Sequence, residues 1–98
     1  MEIEFANRPL ARRYQSESLA QRAWSEKVAR RYIMRVNLIQ NSREFDDLFT
    51  FPELHIHPLT GGREGGWAMT LQGRWRLIIE RQEDDSILVK EVTNHYDD

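Results

Sequence analysis

His55 to Trp67 reads HIHPLTGGREGGW, and this one stretch holds two of the three histidines and four of the five glycines of the 98-residue chain. Downstream, Gly73 opens GRWRL with Arg74 and Arg76, and the third histidine, His95, stands beside Tyr96. Histidine is the side chain that takes and gives protons near neutrality. Arginine offers a planar fork of donors that matches phosphate oxygens. Glycine N–H groups can approach an anion closely because no Cβ stands in the way. Together these residue types suit acid–base work beside a phosphate. The glycines around Arg63-Glu64 could serve only as a turn, or they could present Arg63 to a phosphate backbone. Three histidines could also hold zinc with one open position. The chain has no cysteine, however, and no carboxylate completes a ligand pattern, so neither metal nor cofactor is expected. The glycine spacing is not that of a P-loop, which argues against nucleotide binding of that kind.

These residues need elements to hold them, and the hydropathy pattern outlines which. EIEF alternates charge and apolar residues and suits a short strand. Asn7 can cap a short helix from Pro9 to about Tyr14, with the proline in the first turn where it costs nothing. Ser16 and Ser18 are candidate caps for a long second helix, from about Ser18 to Gln40. In it Val28, Ala29, Tyr32, Ile33, Val36 and Ile39 form one apolar stripe, while Lys27, Arg31 and Arg35 lie on another face. Ser42 can cap a short turn of helix through residues 43–49, with Glu44 to Asp47 at its positive end.

From Pro52 the period becomes two. LHIH is a candidate strand running on to Leu59. WAMTL and WRLIIE are strands around a turn at Gln72 to Arg74, and ILVKEV follows the polar turn QEDDS. The expected order is β-α-α-β-β-β-β. It predicts a single α+β domain over 1–98, with a small antiparallel sheet and two N-terminal helices on one face.

Composition sets outer limits. With 40% hydrophobic and 31% charged residues the chain reads as an ordinary globular protein. A chain of this size buries only about two-thirds of its unfolded surface, so the core must be small. No apolar run approaches the roughly 20 residues of a membrane span. MEIEFANRPL lacks the apolar centre of a signal peptide, so a cytoplasmic location without membrane contact is expected. Net charge is −2, but residues 1–43 carry nine Lys/Arg against four Asp/Glu, and residues 44–98 carry five against twelve. A basic helix packed on an acidic sheet accounts for that split, and so does a basic face for a polyanion.

The segment IHPLTGGREGGWAMTLQGRWRLIIE resembles the RelE/HigB family of toxins. The points of likeness are His57-Pro58-Leu59, the loop from Gly61 to Trp67, Gly73-Arg74-Trp75-Arg76-Leu77, and the terminal pair His95-Tyr96. The front half is similar in element order and in its long basic helix. The resemblance implies the toxin of a toxin–antitoxin pair, a ribosome-dependent endoribonuclease that cuts mRNA in the A site. Its chemistry would need no metal. The 2′-hydroxyl attacks the adjacent phosphate, a 2′,3′-cyclic phosphate forms, and the 5′ oxygen leaves. One side chain takes the 2′ proton, another protonates the leaving oxygen, and cations stabilise the phosphorane.

Carried over residue by residue, Arg76 would hold the scissile phosphate, and His57, His95 and Tyr96 are the acid–base candidates. Arg63 and Arg74 would contact RNA, and Lys27, Arg30, Arg31 and Arg35 would contact the ribosome. Implied partners are a cognate antitoxin, expected to be a helix-turn-helix protein, together with ribosome and mRNA, and DNA only through the antitoxin. The alternatives are a ParE-like gyrase inhibitor without nuclease chemistry, or a module that only binds an antitoxin.

Many relatives end in Tyr-His, whereas the order here is His95-Tyr96, so strand register decides which of the two faces the chemistry. If Gln82 pairs with Ile87, Arg76 lies opposite Thr93 and shares a face with Glu91 and His95. Leu77, Ile79, Leu88, Val92 and Tyr96 then share the helix-covered face. A slip of one residue would instead bring Tyr96 beside Arg76. Burial of the apolar face favours the first register, and with it His95 over Tyr96 as the cleft residue.

Overall fold

The computed structural model describes residues 1–63 and 65–95; Glu64, Tyr96, Asp97 and Asp98 lie outside the described residues. The chain begins with β1, Ile3–Phe5, and continues into α1, Arg8–Gln15. Asn7 caps α1, its side-chain oxygen accepting from the Leu10 N–H at 3.0 Å.

The long second helix expected from the pattern is two helices. α2 runs Glu17–Ala23 and α3 runs Glu26–Asn41. The break has a packing cause. Trp24 turns its ring inward onto Tyr32, with centroids 4.9 Å apart and the rings steeply inclined edge to face. The backbone leaves the helix there in an extended conformation, and Ser25 caps the next helix by accepting from the Val28 N–H at 3.2 Å. Ser16 caps α2 through the Leu19 N–H, which selects it over Ser18.

Two 3-10 turns come next, Phe45–Thr50 and Pro52–Leu54. Ser42 does not cap the first. It closes α3, its hydroxyl donating to the Leu38 carbonyl, and the Asp47 carboxylate instead accepts from the N–H groups of Arg43 and Glu44.

The second strand is also shorter than expected. β2 is only His57–Pro58, because His55 ends the preceding 3-10 turn in the left-handed region at φ 47°. A further 3-10 turn, Gly61–Arg63, leads to β3, Gly66–Gln72. β4, Trp75–Arg81, and β5, Ile87–Thr93, complete the sheet.

The strand order is β1-β5-β4-β3-β2. Four strands pair antiparallel, but β1 runs parallel to β5, a departure from the all-antiparallel expectation. The chain must cross the whole helical layer between β1 and β2, so β1 can join at the far edge in either direction.

The three helices cover one face of the sheet. Leu10, Ala20, Val28, Tyr32, Val36 and Ile39 meet Met69, Leu71, Leu77, Ile79, Ile87 and Val89 in one core. The helical stripe read from the sequence is buried as expected except for Ile33, which is half-buried. No helix among the described residues is long and apolar enough to cross a membrane.

Tyr32 is fully buried, and its hydroxyl donates to the Leu10 carbonyl at 2.8 Å. Burial pushes the hydroxyl well above its ordinary value, against an opposing pull from Arg13. Tyr32→Phe should therefore lower the unfolding free energy by about 1 kcal/mol at neutral pH. The unfolded chain can ionise this tyrosine above about pH 10, and the folded chain only at higher pH. The contribution of Tyr32 is complete below that point and is lost as pH rises. Urea unfolding at neutral and alkaline pH checks both statements. The alkaline loss of stability should be smaller in the phenylalanine variant, and equal losses in the two proteins would contradict the assignment.

Candidate active site

The face of the sheet away from the helices is built from alternate residues of four strands. Pairing sets His57 beside Ala68, Thr70 beside Arg76, and Arg76 beside Thr93, while Ile78 lies between Ala68 and Glu91. Leu59, just beyond β2, folds over Ala68 and Ile78 into a small apolar floor separate from the main core. Its N–H donates to the Gly66 carbonyl at 2.9 Å, which ties the start of the glycine loop to its end. Beside that floor His55, Ile56, His57, Thr70 and Arg76 line a cavity of about 610 Å³.

Arg76 is half-buried and held from below. One guanidinium nitrogen donates to the Gly73 carbonyl at 2.6 Å and to the Trp75 carbonyl at 3.0 Å. The Gly73 carbonyl is aimed there by a tight turn with Gly73 at φ 55°, a conformation that suits glycine. The turn thus orients the side chain that follows it.

His57 is fixed in a comparable way. Its Nδ1 lies 2.8 Å from the His55 carbonyl oxygen. A carbonyl only accepts, so Nδ1 carries the proton and the neutral ring keeps its lone pair on Nε2. The left-handed turn at His55 is what brings that carbonyl around.

The register expected for β4 and β5 holds at Arg76, which lies opposite Thr93. It is reached by a different route. Gln82 pairs across the turn with Ser86, not Ile87, its N–H donating to the Ser86 carbonyl at 2.9 Å. A bulge at Lys90 then adds the missing residue between the Ile79–Val89 and Ile78–Glu91 pairs. The Asp84 carboxylate tightens this turn by accepting from both the N–H and the hydroxyl of Ser86, which holds its carboxyl below the usual range.

His95 does not extend the Arg76 face as expected. β5 ends at Thr93, and the His95 N–H turns back to the Thr93 hydroxyl at 3.1 Å. Its side chain lines a separate cavity of about 460 Å³ with Gln72, Gly73, Arg74, Trp75 and Asn94. Gly73 links the two places, since its carbonyl holds Arg76. Tyr96 lies outside the described residues, as does the side chain of Arg63. Among the described residues no three histidine, aspartate or glutamate side chains come together as metal ligands.

The basic residues of α3 divide sharply. Arg31 donates to the Leu71 carbonyl at 2.7 Å and Arg35 to the Thr70 carbonyl at 3.4 Å. The register shift between Thr70 and Gln72 leaves Leu71 without a partner on β4, and these arginines meet the backbone at that point. Burial and the charge of Arg31 both lower the Arg35 guanidinium, with Glu53 opposing. Arg30 is paired with Glu26 at 2.7 Å and Glu17 at 3.6 Å, joining α2 to α3. Only Lys27 of the expected set is an exposed cation with no such engagement among the described residues.

Thr70 joins the site without having been expected there. Its signal lies in the sequence all the same, because a two-residue turn at Gly73-Arg74 sets the β3 face opposite Arg76.

No family model matches the chain, and no curated protein matches it. Solved structures do. A "YoeB/ParE toxin from Agrobacterium tumefaciens" matches with a TM-score of 0.58 at 13% identity, over 98% of this chain and 100% of that one. YafQ from E. coli strain BL21(DE3) matches with a TM-score of 0.59 at 17% identity, over 96% of this chain and 92% of that one. At such identities the likeness is one of fold, and it agrees with the α+β architecture expected from the sequence.

Proposed function

We propose that this chain is the toxin of a toxin–antitoxin pair and an endoribonuclease that cuts mRNA on the ribosome. The observation that carries the reading is the shared cavity of Arg76 and His57 on the open face of the sheet. The resemblance of residues 55–96 to RelE/HigB toxins supports it, as does a fold shared with a protein named a toxin.

In this reading the Arg76 fork receives the scissile phosphate, because a side chain braced on a rigid turn is preorganised for developing negative charge. Nε2 of His57 is closed off from solvent, and in this reading RNA shifts the ring so that this nitrogen accepts the proton of the attacking 2′-hydroxyl. The 2′-O–P bond forms, the P–5′-O bond breaks, and the products are a 2′,3′-cyclic phosphate and a 5′-hydroxyl. His95 or Tyr96, which come after β5, would return a proton to the 5′ oxygen. No metal takes part. Arg63, Arg74 and Lys27 would contact RNA, and a cognate helix-turn-helix antitoxin would silence the chain.

A second reading draws on the name of one structural neighbour, which joins YoeB with ParE. In it the chain poisons gyrase. Primer extension on a translated mRNA in cells expressing the chain separates the two. Cleavage inside codons, dependent on translation, is the expected result. Intact mRNA with broken DNA would transfer the function to gyrase, and neither effect would leave only an antitoxin-binding module.

A further inference from the structure

Where the arginines of α3 turn to backbone carbonyls or pair with acids, those of α1 and α2 form no ion pair among the described residues. Arg8, Arg12, Arg13 and Arg22 line one groove of about 390 Å³ between α1 and α2. The acids at the helix ends are turned away from it, with Glu17 and Glu26 both engaged by Arg30. None of the four groove arginines takes part in an ion pair among the described residues. Arg13 is fixed in place over the Trp24 ring, 5.1 Å from its centroid. Four guanidinium groups around one hollow repel one another, and an anion placed there relieves that repulsion.

The floor narrows the choice of anion. Leu19, Ala23 and Pro9 make it apolar. The lining contains no aromatic ring, and Trp24, under the Arg13 guanidinium, is buried. Single-stranded RNA binds by stacking bases on open aromatic faces, and none is offered here. Carboxylates paired with a few aliphatic side chains satisfy both rim and floor.

We infer that the α1–α2 groove docks an acidic peptide segment of a protein partner, with aliphatic side chains on Leu19 and Ala23 and carboxylates on Arg8, Arg12 and Arg22. The helices and the sheet separate this groove from the Arg76 cavity, so the segment binds without entering the cleft. The inference stands on the groove alone and does not depend on the chemistry of the cleft.

The test is fluorescence anisotropy of the full chain with a labelled short peptide of glutamate and leucine. Arg12→Ala combined with Arg22→Ala should weaken binding by about tenfold or more, and Leu19→Gln should weaken it as well. The peptide with glutamine in place of glutamate should bind much more weakly. Arg76→Ala should bind as the wild type does, which keeps this test separate from that of cleavage. If the double variant does not fold by circular dichroism, Arg8→Ala and Arg12→Gln each carry the same comparison. Unchanged affinity in the arginine variants would overturn the inference. So would equal binding of the glutamine peptide, or tighter binding of polyuridylate with the same dependence on Arg12 and Arg22.

Discussion

Arg76→Ala should reduce single-turnover mRNA cleavage on ribosomes by on the order of 10²- to 10³-fold, the range seen when one preorganised donor to a developing anion is removed. The fold should survive. Arg76 is half-buried, and the bonds it makes to the Gly73 and Trp75 carbonyls are local ones within its own turn, each worth on the order of 1 to 3 kcal/mol. Arg76→Lys should lose most of the activity as well. An ammonium is a point charge without the planar edge that meets two phosphate oxygens at once, so it cannot replace the guanidinium fork. Growth inhibition at equal expression gives a second readout. An alanine variant that cleaves at close to the wild-type rate would remove Arg76 from the chemistry.

His57→Ala should cost about 10²-fold in the same assay, the usual contribution of a positioned general base. Two comparisons give this meaning. His57→Asn can still donate to the His55 carbonyl through its side-chain amide, so it preserves the local bond but offers no base. It should be as inactive as the alanine variant, and recovery of activity would show that His57 only holds the turn. His95→Ala should be less damaging than His57→Ala, because His95 lines the cavity beyond the Gly73 turn while His57 shares that of Arg76. A larger loss at His95 would move the proton transfer to the end of β5. Strand alternation alone ranks His95 only against Tyr96, as the residue sharing the Arg76 face.

The period-two pattern of β3, β4 and β5 and the stripe of α3 were legible in the sequence, because burial of one face leaves the same mark wherever an element packs. That pattern also put Arg76 on the face away from the helices, opposite Thr93. The features that make a site of this face were decided elsewhere. The left-handed turn at His55 aims its carbonyl at His57, and the bulge at Lys90 restores a register that the Gln82–Ser86 turn would have shifted. The arginines follow the same rule. Arg31 and Arg35 commit donors to carbonyls 40 and 35 residues away in the chain, while Arg8, Arg12 and Arg22 keep theirs for solvent. Residue type and spacing record which face of an element is polar. Which polar group meets which depends on the approach of segments far apart in sequence, where an unsatisfied carbonyl at a bulge can claim a cation from any helix packed above it.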